Sequence, residues 1–153
     1  MYAVMKFIHV FGVVLFVGNI ITAALWKTRA DRSGDLATVA FAQRTVAAAD
    51  RVFTVPGIVL ILLGGYAMAF RRPFPLRGLH WLEWGQGLFY LSALIWLFVM
   101  VPAQRRLVAL SEAGRLTGSL DPEFARVSRR WAMWGGIATL LPLIVLYMMI
   151  TKP

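Results

Sequence analysis

The four longest stretches of this chain free of Asp, Glu, Lys and Arg are residues 7–26, 52–70, 84–104 and 131–151. Their lengths of 20, 19, 21 and 21 residues match the roughly 20 helical residues that cross a hydrocarbon core of about 30 Å. A backbone in lipid must pair its own N–H and C=O groups, which leaves only helices and closed barrels. None of the four stretches alternates apolar and polar residues, so a barrel is excluded by pattern. The expected fold is an all-α membrane protein, a four-transmembrane-helix bundle built from two helical hairpins with cytoplasmic helical extensions. Its spans fall at about 3–26, 52–70, 82–104 and 131–151, and residues 1–153 form a single integral membrane domain.

Composition agrees. The chain of 153 residues is 59% hydrophobic and 15% charged, with a mean hydropathy of +0.70, far above what a soluble domain of this length needs. It has no cysteine, which removes disulfides, thiolate metal sites, iron–sulfur ligation and cysteine nucleophiles. The net charge of +9 sits just beyond the span ends, not on a soluble basic face. Anionic membrane lipids are therefore the expected partner, and nucleic acid is not. A second membrane protein or a second copy of the chain stays open as a further partner.

Loop charge sets the threading. Lys27, Arg29, Arg32, Arg44 and Arg51 follow the first span, and Arg105, Arg106, Arg115, Arg126, Arg129 and Arg130 follow the third. Arg71, Arg72, Arg77 and Lys152 lie on the other side, with Lys6 at its edge. The positive-inside rule then puts both termini outside a bacterial inner membrane and both long loops in the cytoplasm. The first span is too long, and its flank too weakly basic, for a cleaved signal peptide.

Helix signals continue into those loops. Ser33-Gly34 reads as a turn and Asp35 as a helix cap, while Asp121, Pro122 and Glu123 repeat the device before the fourth span. Gly114 reads as the stop of the third helix. Gly65 with Ala69, and Ala132 with Gly136, have the small-xxx-small spacing that lets helices approach closely. Pro56 and Pro142 are expected to bend their helices, and Pro102 to end the apolar part of the third span.

Lys6 and His9 are three residues apart, so they share a helical face in the first span. Counted back from Trp26, His9 lies roughly 25 Å along the helix and Lys6 about 30 Å. Lys6 is thus able to snorkel to the outer headgroups, whereas the shorter imidazole needs a partner inside the bundle. The only other histidine, His80, opens the third span, with Glu83 one turn behind it. All four residues are expected near the outer face, with Glu83 paired to Lys6 or His9. Such a cluster is either a structural ion pair or a ligand site in which His9 and His80 offer nitrogens to a metal or haem iron and Glu83 orients a ring. Asn19 reads as interhelical glue, Asp50 with Arg51 and Arg44 as a solvated interfacial network, and Trp96 as core filler. No phosphate-binding glycine loop, catalytic Ser–His–Asp set or HExxH is present.

Taken whole, "MYAVMKFIHVFGVVLFVGNIITAALWKTRADRSGD", "GGYAMA" and "IWLFVMVPAQ" resemble a bacterial family of predicted integral membrane proteins of unknown function over essentially the full length. Lys6-x-x-His9 is also similar to an element of the HemJ-type protoporphyrinogen oxidases, and an early-helix histidine is shared with the copper-resistance protein CopD. The HemJ resemblance implies His9 as a ligand of haem b and Lys6 as a partner of a propionate. The chain departs from that family in lacking its Asn-Glu-x-Pro-type segment and its lysine in span three. The expected function is a polar, haem-binding redox site near the outer face. A small permease or metal-handling protein, and a non-enzymatic assembly or accessory subunit, are the alternatives.

Overall fold

The computed structural model describes residues 1–71 and 80–152. Arg72 and Arg77, two of the loop charges counted above, lie outside the described residues. Among those described, all regular structure is helical. Four rods, α1 (Tyr2–Ser33), α2 (Leu36–Ala69), α3 (His80–Thr117) and α4 (Pro122–Thr151), are each long and apolar enough to cross a membrane. They run up and down, so both termini lie at one end, the mouth end, and the two connections rich in Arg lie at the other, the basic end.

The hairpin at the basic end between α1 and α2 turns on Gly34, whose φ of 72° few other residues adopt. Asp35 then caps α2, its carboxylate accepting from the backbone N–H groups of Ala37 and Thr38. Asp121 caps α4 in the same way through Glu123 N–H, with Pro122 opening the helix. Gly114 does not end α3. That helix runs on to Thr117 and stops at Gly118, φ 83°, because Gly114 is occupied in packing: a Cβ there would lie 2.7 Å from Leu120 Cδ2.

Two rods contain a π-helical turn, Asp50–Thr54 in α2 and Trp96–Met100 in α3. Val55 N–H donates to Asp50 C=O, and Val101 N–H to Trp96 C=O, five residues back in each case. The cause follows directly: Pro56 and Pro102. A proline ring presses on the carbonyl four residues earlier and brings no N–H, and the wider π turn relieves that pressure while the helix continues. The third helix therefore continues past Pro102 to Thr117.

Between apolar helices in lipid, close backbone approach replaces the hydrophobic effect as the packing force. The seam of α1 with α2 is built on Gly12, Gly57 and Gly64. A Cβ on Gly12 would meet Gly57 O at 2.8 Å, and one on Gly64 would meet His9 N at 2.6 Å. The seam expected from Gly65–Ala69 is displaced by one residue, and Ala132–Gly136 faces outward with open space beside Gly136.

The two ends pack differently. Toward the mouth the molecule is two helix pairs, α1 with α2 and α3 with α4. No Cα of α1, or of Val55–Ala69 in α2, comes within 8 Å of a Cα in His80–Ile95 of α3. At the basic end all four helices close around Val39, Val46, Leu107, Phe124 and Trp131. Ion pairs of Arg44 with Glu112 and Arg106 with Glu123 rim that closed end.

Candidate functional site

The gap between the helix pairs is a cavity of about 480 Å³ walled by all four helices. Its floor is the edge-to-face pair Phe16–Phe89, centroids 5.9 Å apart. Its walls are mostly apolar and aromatic, and its polar groups are few: Tyr2, Lys6 and His9 on α1, Tyr66 on α2, Gln86 and Tyr90 on α3, and Lys152 after α4, with the Trp81 indole. Among the described residues no acidic side chain lines it. Lys152 Nζ sits 5.9 Å from the Trp81 ring centroid. The Tyr66 and Tyr90 hydroxyls hydrogen-bond each other across the gap.

His9 owes its position to two adjacent glycines. Gly64 admits the α1 backbone, and Gly65 leaves room for the ring, since a Cβ there would lie 3.1 Å from His9 Nδ1. That nitrogen lies 2.8 Å from the Ile61 carbonyl oxygen. A carbonyl only accepts, so Nδ1 carries the hydrogen and donates it, and the neutral ring keeps its lone pair on Nε2. Histidines that bind metal through one nitrogen are commonly held in this manner through the other.

Of the four residues expected to converge, the structure brings together two. Lys6 and His9 line the cavity. His80 and Glu83 do not; they face each other one turn apart at 3.8 Å, with side chains 82% and 53% exposed. The expected ion pair of Glu83 with Lys6 or His9 is not formed among the described residues. The reason is helical register: Trp81, Leu82, Gly85 and Gln86 turn the cavity face of α3 inward, which carries His80 and Glu83 around the helix.

A second polar site was not expected. Asp50 is 7% exposed, and its carboxylate collects four donors from three helices. Asn19 Nδ2 at 2.9 Å and Thr54 Oγ1 at 2.8 Å donate to Oδ1. Gln104 Nε2 at 2.7 Å and Trp96 Nε1 at 3.2 Å donate to Oδ2. The network is therefore buried, not solvated. Arg51 is exposed, Arg44 is engaged with Glu112, and Trp96 is a donor as well as filler. Asn19 does bridge helices, as its place in mid-span suggested. The overlooked signal is spacing: Asp50, Gly57 and Gly64 are successive heptad positions on α2, as Gly12 and Asn19 are on α1.

Lys27, grouped above with the loop charges, is also buried, at 2% exposure. Its ammonium donates to Asp31 and Ser128 and lies 5.0 Å from the Trp131 ring centroid. Gln43 donates to the other Asp31 oxygen, so this cage ties α1, α2 and α4 together at the basic end.

No curated protein and no solved structure matches the chain, and the comparisons give no homologue evidence for HemJ-type oxidases or CopD. The family model described as predicted integral membrane protein, DUF2269, matches residues 3–153. Four helices long and apolar enough to span a bilayer, matched over nearly their whole length, make this chain a member of the DUF2269 family of integral membrane proteins.

Proposed function

We propose that the mouth cavity binds haem b, which His9 would hold through Nε2 and whose carboxylates Lys6 and Lys152 would offset in charge. The observation that carries this reading is the His9 Nδ1 to Ile61 carbonyl hydrogen bond, which commits Nε2 to be the ring's lone-pair nitrogen in a residue lining the cavity. Supporting it are apolar and aromatic walls for a macrocycle and cations without carboxylates among the described lining residues, a match for an amphipathic dianion. Among the described residues no three His, Cys, Asp or Glu side chains gather. A haem, which needs only one protein nitrogen, suits the site better than a bare metal ion. Bound haem would supply one-electron chemistry; the chain supplies ligation, charge compensation and exclusion of water by Phe16 and Phe89.

The test is haem titration of the purified protein in detergent. The expected result is a Soret band saturating at one equivalent and lost in His9→Leu, with helicity and melting temperature retained. Absence of the band, or its persistence in His9→Leu, contradicts the reading. A cavity open at one end and closed at the other also suits a small permease, for which haem would leave no spectral trace.

We place this mouth on the outer side of a bacterial inner membrane, from the ten exposed basic residues at the basic end, Lys27 being buried, against four toward the mouth end. Reporter fusions after residue 153 are expected to read as exported, and insertions within residues 30–45 as cytoplasmic. The reverse pattern would move the site to the cytoplasmic face.

A further inference from the structure

A second concavity lies at the basic end, apart from the mouth cavity. It is a groove of about 300 Å³ between α1 and α2, walled chiefly by Trp26, Arg29 and Ala30 of the first and Phe41 and Ala42 of the second. Ala30 and Ala42 are buried and too small to fill it, while the rings of Trp26 and Phe41 stand 48% and 63% exposed.

Depth gives the groove its surroundings. Trp26 closes the charge-free run of the first span, the position at which an indole marks the edge of the hydrocarbon. Arg29 is one helical turn further out, about 4.5 Å. A bilayer is roughly 40–45 Å across its headgroups against about 30 Å of hydrocarbon, which leaves about 5–7 Å of headgroup on each side. Arg29 therefore stands at phosphate depth. Phe41 walls the same groove as Ala30, so its exposed ring lies at that level too, outside the hydrocarbon that would ordinarily cover it.

The charge there is uncompensated. Arg44, Arg106 and Arg115 each hold a carboxylate, but among the described residues Arg29 and Arg32, one turn apart, have no ion-pair partner. The carboxylates nearest them in sequence are occupied, Asp31 by Lys27, Ser128 and Gln43 and Asp35 by the backbone N–H and hydroxyl of Thr38. Thr45, which also lines the groove, donates its hydroxyl to the Phe41 carbonyl. The Arg29 guanidinium and the Trp26 indole are thus the donors left at the wall. We propose that this groove binds one anionic glycerophospholipid, with the phosphodiester on Arg29 and the glycerol and first methylenes between Trp26 and Phe41. A guanidinium meets phosphate with two parallel N–H groups, and Arg32 adds the positive charge that favours an anionic over a zwitterionic headgroup. The apolar walls at phosphate depth favour a lipid over free phosphate. This site is separate from His9 and does not depend on what the mouth cavity binds.

Native mass spectrometry of the full-length protein released from detergent, with added dioleoyl phosphatidylglycerol or dioleoyl phosphatidylcholine, reads occupancy directly. The expected result is one retained phosphatidylglycerol per chain, in preference to phosphatidylcholine. A basic residue beside an anionic headgroup is worth roughly a fivefold change in binding, and Arg29→Gln should lower the occupancy accordingly. Phe41→Ser should lower it as well, whereas Arg51→Gln, at an exposed arginine outside the groove, should leave it unchanged. All three positions are exposed, and equal melting temperatures in lipid-free detergent confirm that the fold is kept. Equal retention of the two lipids by the wild type overturns the proposal without recourse to any variant. Equal losses in Arg29→Gln and Arg51→Gln, which would mean diffuse attraction, also overturn it, as does a Phe41→Ser variant that binds normally. Displacement of the lipid by inorganic phosphate would reduce the site to an anion site, and a dimer in place of the lipid adduct would assign the groove to a second copy of the chain; either result contradicts the proposal.

Discussion

The two ends of this bundle solve the same problem in opposite ways. At the basic end four helices close on one another, and of the polar groups trapped there Asp50 has partners on three helices and Lys27 on two. At the mouth end two tight pairs stand apart, and His9 is held through one nitrogen only. The backbone explains the division. Gly12, Gly57 and Gly64 weld α1 to α2 along their length, whereas no comparable seam joins α2 to α3 above the π turns. Close packing is concentrated at the basic end, and open space at the mouth.

Substitutions should sort along that division. The largest effect is expected for Asp50→Leu, which strips the acceptor from four buried donors; at about 1–3 kcal/mol per unsatisfied group, partly recovered by Asn19–Thr54 bonding, a loss of about 3 kcal/mol or more should appear in detergent unfolding. Gly64→Leu should rank next, since even a Cβ collides with the His9 backbone at 2.6 Å. A cost of about 2–3 kcal/mol is expected, against almost none for Gly136→Leu, which meets open space. Equal losses at the two glycines would erase the seam argument.

At the mouth the effects should be functional, not structural. Lys6→Arg is expected to be nearly silent in stability and in haem affinity, because one exposed cation replaces another at the rim. If it damages binding as severely as His9→Leu does, Lys6 and His9 form one ligand site. The smallest effect is expected at Asp35. The Thr38 hydroxyl, then the Thr38 backbone N–H, hold its carboxyl below the ordinary carboxylate range. Its capping contribution is therefore present above the unfolded-state value and lost as pH falls through the folded one. The melting temperature of Asp35→Ala should lie slightly below wild type at neutral pH, and the gap should close in strong acid.

Much of this was legible in the chain. Runs of about 20 uncharged residues dictate four spans, and Asp35, Asp121 and Pro122 mark helix starts because capping is local chemistry. Lys6 and His9 are three apart on one helix, so their shared face needs no tertiary information. His80 and Glu83 were misplaced because matching depth in a bilayer fixes height and not rotation; the register of α3 turned them away from the cavity. Asp50 was misread for a related reason. It lies beside an uncharged run and so looked like an edge residue, yet three of the four donors around it come from α1 and α3. Lys27 was miscounted with the loop charges because burial by Trp131 and Ser128 comes from a helix about 100 residues away.

Thiol labelling tests the central contrast most directly. Gln86 lines the cavity and Ser111 is fully buried at the basic end, so Gln86→Cys and Ser111→Cys place one thiol in each half of a protein that has none. In the folded, detergent-solubilised protein a hydrophilic maleimide should label Gln86→Cys readily, Ser111→Cys only after unfolding, and added haem should slow the first reaction. Equal labelling of the two sites, or labelling of Gln86→Cys unaffected by saturating haem, would contradict the account of an open, ligand-binding mouth above a closed base.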